Sequence, residues 1–170
     1  VTGVQTCALP IYVVLLTQYA PATFTAAPLR IGERYAITTF EAGDDFSNVG
    51  GDNIEGHSFI ATGTTPAVWT NGSVLDSDGA PVATILENTL GGVPVYSRDA
   101  AGTFTITLSG GFTTQKTVCF IQPVGIDLGG VSVAPTGDGN TISMSTMEAG
   151  TLNSVDGMLV GLSFEIRVYP

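Results

Sequence analysis

Val93-Pro-Val-Tyr-Ser-Arg98, Asp99-Ala-Ala-Gly102 and Thr103-Phe-Thr-Ile-Thr-Leu-Ser109 form the stretch whose reading decides the fold. Phe104, Ile106 and Leu108 alternate with Thr103, Thr105 and Thr107. Side chains along a strand point to opposite faces in turn, so this pattern predicts an apolar row on one face and a hydroxyl row on the other. Asp99 to Gly102 is turn chemistry, and it makes the two halves a hairpin.

Working outward, the same period predicts strands over 12–18, 34–40, 73–75, 116–122, 131–134, 141–147 and 159–169. In the second of these, Tyr35, Ile37 and Thr39 alternate with Ala36, Thr38 and Phe40. Residues 83–90 read as a strand or as one helical turn. Asp138-Gly139-Asn140 and Asp156-Gly157 mark turns, and Gly110-Gly111 ends the central hairpin. Residues 19–28, with Pro21 and Pro28 among small residues, read as a linker. Residues 41–56 form a polar loop; Phe46 and Val49 in it allow one short helical turn capped by Asp44 or Asp45. Regular short strands without a long 3.6-residue period predict an all-β chain: an antiparallel β-sandwich, jelly-roll-like, preceded by a small β module. The expected division is 12–30 as strand plus linker, 31–80 as the small module and 81–170 as the sandwich, with a boundary near 76–81. No clear internal repeat is present.

The small module centres on Phe59 to Ser73, which holds Trp69, the sole tryptophan. Pro66 lacks an N–H and restricts Thr65, so no helix precedes the tryptophan. Asn71-Gly72 tolerates two positive φ angles and predicts a tight turn. Phe59-Ile60-Ala61 and Ala67-Val68-Trp69 are therefore expected to fold onto each other. Trp69 reads as a core anchor, with ligand stacking as the functional alternative.

The 170 residues suit one or two domains, and 44% are apolar, enough for a core. Only 12% are charged, 15 acidic against 5 basic, for a net charge of −10. That balance argues against nucleic acid and against an anionic membrane surface, which both need a positive footprint. Cys119 lies in an apolar run and reads as a small buried hydrophobe. His57 has no Cys or second His nearby, so no zinc site is expected. Asp44, Asp45, Asp52, Asn53 and Glu55 are dense enough in oxygen to suggest calcium, but the same residues suit turns and caps. Asp76-Ser77-Asp78-Gly79 departs from a calcium loop, because Ala80 and Pro81 occupy its later positions. Neighbouring His57 and Ser58 point to opposite faces of a strand, which separates a nucleophile from its base. No nucleophile elbow, phosphate loop, dinucleotide fingerprint or spaced carboxylate pair is present. Asn71-Gly72-Ser73 matches a glycosylation sequon, though a turn explains it. No cofactor, metal or catalytic residue is assigned.

Val1 to Ile11, Val-Thr-Gly-Val-Gln-Thr-Cys-Ala-Leu-Pro-Ile, resembles the in-frame translation of a sequencing adapter. The expectation is that these residues, Cys7 included, are not native and that the natural N-terminus lies upstream of Tyr12. Ile11 to Leu16 is too short to span a membrane and has no basic residues before it, so it is not expected to be a signal peptide.

A second resemblance rests on Ile31-Gly-Glu-Arg-Tyr35, Ala42-Gly-Asp-Asp-Phe46, Asn48-Val-Gly50, Gly56, Phe59, Ala61-Thr-Gly-Thr-Thr-Pro66 and Trp69-Thr-Asn-Gly-Ser73. This combination, over roughly 31–73, resembles a module of structural proteins of tailed bacteriophages, found in tail fibres, appendages and other virion proteins, often from environmental sequences. The closing Ser163 to Pro170 is similar to their C-terminal β regions. The resemblance implies a self-associating, non-enzymatic virion subunit of the tail, a fibre or the capsid decoration. The implied partners are copies of itself, a homotrimer being the common form, and neighbouring virion proteins. The alternative is a receptor- or glycan-binding module. It would stack a host-surface sugar on Trp69, Tyr96 or Tyr169, with Asp44 or Asp45 acting through calcium. A secreted depolymerase, the third class, lacks the paired carboxylates it needs.

Overall fold

In the computed structural model, residues 9–113, 115–122 and 130–170 are described. Val1 to Ala8, with Cys7 and most of the adapter-like segment, lie outside them. The strands are β1 (Ile11–Thr17), β2 (Ala22–Phe24), β3 (Arg34–Thr39), β4 (Ser58–Ile60), β5 (Val74–Ser77) and β6 (Val82–Asn88). They continue with β7 (Val95–Ala100), β8 (Thr103–Thr107), β9 (Thr117–Gln122), β10 (Gly130–Pro135), β11 (Thr141–Met147) and β12 (Leu162–Val168). All strand pairs are antiparallel. They form three four-stranded sheets, ordered β6-β1-β12-β9, β10-β11-β8-β7 and β2-β5-β3-β4. The chain is all-β, as the period-two pattern requires.

The first two sheets pack face to face as the sandwich. Tyr12, Val14 and Leu16 of β1 and Phe164 and Ile166 of β12 meet Phe104 and Ile106 of β8 and Ile142 and Met144 of β11 in one buried cluster. Each is an alternate residue of its strand, so the inward row is the apolar row of the sequence. The outward row of β8 and β11 is Thr103, Thr105, Thr107, Thr141, Ser143 and Ser145, which pair across the ladder. Between β7 and β8 the chain must turn at Gly102, whose φ is +61°. A Cβ there would lie 2.5 Å from both the Thr146 carbonyl oxygen and the Val155 nitrogen, so only glycine fits.

The small sheet has its own core of Leu29, Tyr35, Ile37, Phe46, Val49, Phe59, Ala61 and Leu75. Its position corrects the expected division of residues 12–30. β1 is not a leading strand: it pairs with β12 and with β6 at the centre of the sandwich. The small module is therefore inserted between two neighbouring strands of the sandwich. Residues 19–28 are not only a linker either, because β2 pairs with β5. Of residues 83–90, 83–88 resolve as strand, since β1 offers a ladder that a helical turn could not use.

Gln18 stands where the chain leaves the sandwich, and it is fully buried. Its Nε2 donates to the Gly79 carbonyl at 3.0 Å, and its Oε1 accepts the Gly157 N–H. One amide thus ties the exit of β1, the return from the module and the loop before β12. Gln18→Leu would leave the buried Gly79 carbonyl without its donor. It is expected to lower the unfolding free energy by about 1–3 kcal/mol in urea titration.

Candidate functional site

The Trp69 corner is built on a carboxylate. Asp44 is buried, and its Oδ1 accepts the N–H of Thr70 at 2.7 Å, the N–H of Asn71 at 2.9 Å and the Asn71 side-chain amide at 3.1 Å. Its Oδ2 accepts the Ser73 N–H at 3.0 Å. Burial alone would raise this carboxyl, but the donors of Asn71, Ser73 and Thr70 outweigh it and hold the pKa down to about 2. The loop these bonds fix presents the Ser73 carbonyl to the indole Nε1–H of Trp69 at 2.8 Å. The Trp69 ring stands edge-on to Phe46, with centroids 5.2 Å apart.

This arrangement corrects the predicted hairpin. Residues 67–69 form no strand against β4, which pairs instead with β3. Asp45 bridges Val68 through two backbone hydrogen bonds, Asp45 N–H to Val68 O at 2.8 Å and Val68 N–H to Asp45 O at 3.3 Å. Of the two positive φ angles expected at Asn71-Gly72 only that of Gly72 is present, at +104°, and the bend is held by Asp44 and not by a two-stranded ladder.

Asp45 is also engaged. Its Oδ1 accepts the Ser47 N–H at 2.9 Å and the Asn53 amide at 3.0 Å, and these donors lower its pKa, Asn53 most. The predicted helical turn exists as a 3-10 turn, Ser47–Val49. Its N-cap residue is Phe46, so neither aspartate occupies that position, although Asp45 satisfies the Ser47 N–H. Asp52 pairs with His57 at 2.6 Å on the surface, and Glu55 accepts the Phe40 N–H at 3.1 Å. The loop acids thus serve separate backbone segments. Among the described residues, no group of three or more His, Cys, Asp or Glu side chains is gathered to hold a metal ion.

The other residues named from the sequence fall as follows. Tyr96 is not a surface platform: it is buried in the sandwich, where its hydroxyl donates to Tyr12 at 3.4 Å. Burial pushes its phenol upward. Tyr169 is 39% exposed at the end of β12. Cys119 is half-buried and packs against the core, and burial raises its thiol to about 11, so it stays protonated near neutral pH.

Compared with family models, curated proteins and solved structures, the chain matches none. The remaining surface features are therefore weighed on geometry alone. A groove of about 270 Å³ opens between module and sandwich, lined by Arg34 and Ile60 on one side and Ile85, Val93, Val95 and Tyr96 on the other. The two outward faces of the sandwich differ in chemistry. One carries the hydroxyl rows described above. The other, on the β6-β1-β12-β9 sheet, exposes Leu15, Val118 and Phe120, with Arg167 4.9 Å over the Phe120 ring and bonded to Glu165 at 2.5 Å. Sequence reasoning missed this apolar face, although Val118 and Phe120 flank Cys119 in a run that alternates little. Among the described residues, no helix is long and apolar enough to cross a membrane.

Proposed function

We propose that the chain is a structural subunit of a tailed-bacteriophage particle, an accessory or appendage piece of tail, fibre or capsid that associates with copies of itself. The observation that carries the reading is the unlike pair of outward faces. A sheet that leaves Leu15, Val118 and Phe120 in solvent has apolar area to bury, which is what assembly surfaces offer. The resemblance of residues 31–73 supports the virion setting. In this reading the chain is a building piece and not an enzyme. Asp44 and Asp45 are spent on backbone donors, and the largest buried side chains on packing. The partners are further copies of the chain and adjoining particle proteins.

Size-exclusion chromatography with light scattering on the full chain tests the reading. The expected result is a mass of several chains that falls on dilution. A single-chain mass at every concentration would overturn it. An unbroken contig with capsid, portal or tail genes alongside would support the particle setting independently.

A further inference from the structure

Each sheet ends in two edges, and an edge strand presents unpaired N–H and C=O groups that invite another strand. Five of the six edges are blunted. β2 and β4 have three residues each. β9 and β10 lie against each other across one side of the sandwich. β7 carries the adjacent charges Arg98 and Asp99, with Arg98 turned toward Asp156, 2.8 Å away. β6 is the exception. It has seven residues, Val-Ala-Thr-Ile-Leu-Glu-Asn, without proline, lysine or arginine. Residues 84–87 are all exposed, and Ile85 and Leu86 are 44% and 59% so. One side of β6 pairs with β1; the other has no partner strand among the described residues.

We propose that β6 is the edge through which two copies of this chain pair, antiparallel, about a twofold axis at Ile85. The inference rests on the self-association reading and adds to the sheet face a second surface, the edge of the same sheet. Backbone geometry fixes the occupant as an extended strand, because only another strand matches an alternating row of donors and acceptors. Charge favours a copy of the same strand. Two chains of net charge −10 repel each other wherever acids meet. Pairing centred on Ile85 sets Thr84 opposite Leu86 and Ala83 opposite Glu87, so no like charges oppose. The two Glu87 residues then lie four positions apart, roughly 13 Å. That exceeds the screening length of about 8 Å at physiological salt. Ile60, Val93 and Val95, all more than half exposed, line the adjoining groove and add apolar area beside the ladder. Leu86 falls at the irregularity between Glu87 and Ile85 in the β1 ladder, so the shared ladder is confined to the residues around Ile85. A seven-residue edge is roughly 23 Å long. On its own it covers less than the roughly 800 Å² per partner of a standard interface. The pair is therefore a concentration-dependent dimer, one contact from which larger assemblies grow.

The test compares the full chain with Thr84→Lys/Leu86→Lys, which places lysines directly opposite one another across the proposed axis. Sedimentation equilibrium should show wild-type dimer and a double variant weakened about a hundredfold or more, with an unchanged circular-dichroism spectrum. Ile85→Cys, with Cys7 and Cys119 replaced by serine, should cross-link to a dimer on oxidation. Phe120→Lys, on the sheet face and away from the edge, should leave this dimer intact. Wild type that associates while the lysine variant associates equally well, or an associating Ile85→Cys chain that fails to cross-link, overturns the edge but leaves self-association standing. A chain that is monomeric throughout overturns both.

Discussion

Phe164→Ala is expected to destabilise the sandwich by about 3–5 kcal/mol, the range for deleting a fully buried phenylalanine. Phe164 has no exposed surface and lies at the middle of β12, between β1 and β9. It pairs with Val14 on one side and Ile121 on the other, and it faces the β8 and β11 side chains across the core. The neighbours come from four strands and cannot all collapse into the vacated space, so a cavity remains. Domain stabilities are only about 5–15 kcal/mol, so the variant should lose a large part of its margin. Guanidinium titration followed by far-ultraviolet circular dichroism measures it. A loss below about 1 kcal/mol, the range of surface changes, would show that the two sheets do not share this core.

Asp44→Ala is the second large effect, and it should appear first at Trp69. The substitution strands the N–H groups of Thr70, Asn71 and Ser73, which now converge on one carboxylate. Ser73 is fully buried, so water does not readily replace the lost acceptor there. The expected cost is about 2–4 kcal/mol, because several donors are orphaned together. Losing the loop also frees the Ser73 carbonyl from the indole, so Trp69 emission should shift to the red before the sandwich unfolds. The same group sets a pH dependence. Its folded pKa of about 2 lies below the ordinary 3.8, so its stabilisation is complete above the ordinary value. It is lost as pH falls from there through about 2. Asp44→Asn should remove that acid-sensitive part of the Trp69 signal. An unchanged acid titration in the Asn variant would assign the effect to another carboxyl. Asp138 is the competitor, since the donors of Asn140 and Thr141 also hold it at about 2.

The strands of the sandwich were legible where one face meets core and the other meets water. Thr141 to Met147 is read with its observed bounds, and Phe104 and Ile106 fall in the core as the alternation requires. What stayed hidden is whatever depends on a distant partner. β2 has three residues and no period of its own; it is a strand because β5 offers Leu75, Asp76 and Ser77 as a ladder. β1 reads as a strand from its own residues, but its place beside β12 is decided by a partner some 150 positions away. The Trp69 corner misled for a related reason. Asn71-Gly72 is good hairpin chemistry locally, yet Asp44 takes the N–H groups that a ladder would need. Asp44 and Asp45 read from the sequence either as calcium ligands or as turn and cap residues, and backbone N–H groups are what they hold.

Thr17 and Val82 face each other across the β1–β6 ladder, although the whole small module lies between them in the chain. The excursion thus begins and ends at one rung, with backbones about 5 Å apart. Its sixty-odd residues hang from the sandwich like a long hairpin tip. Joining that rung with a few turn residues is expected to remove the appendage and leave the eight-stranded frame folded beneath it.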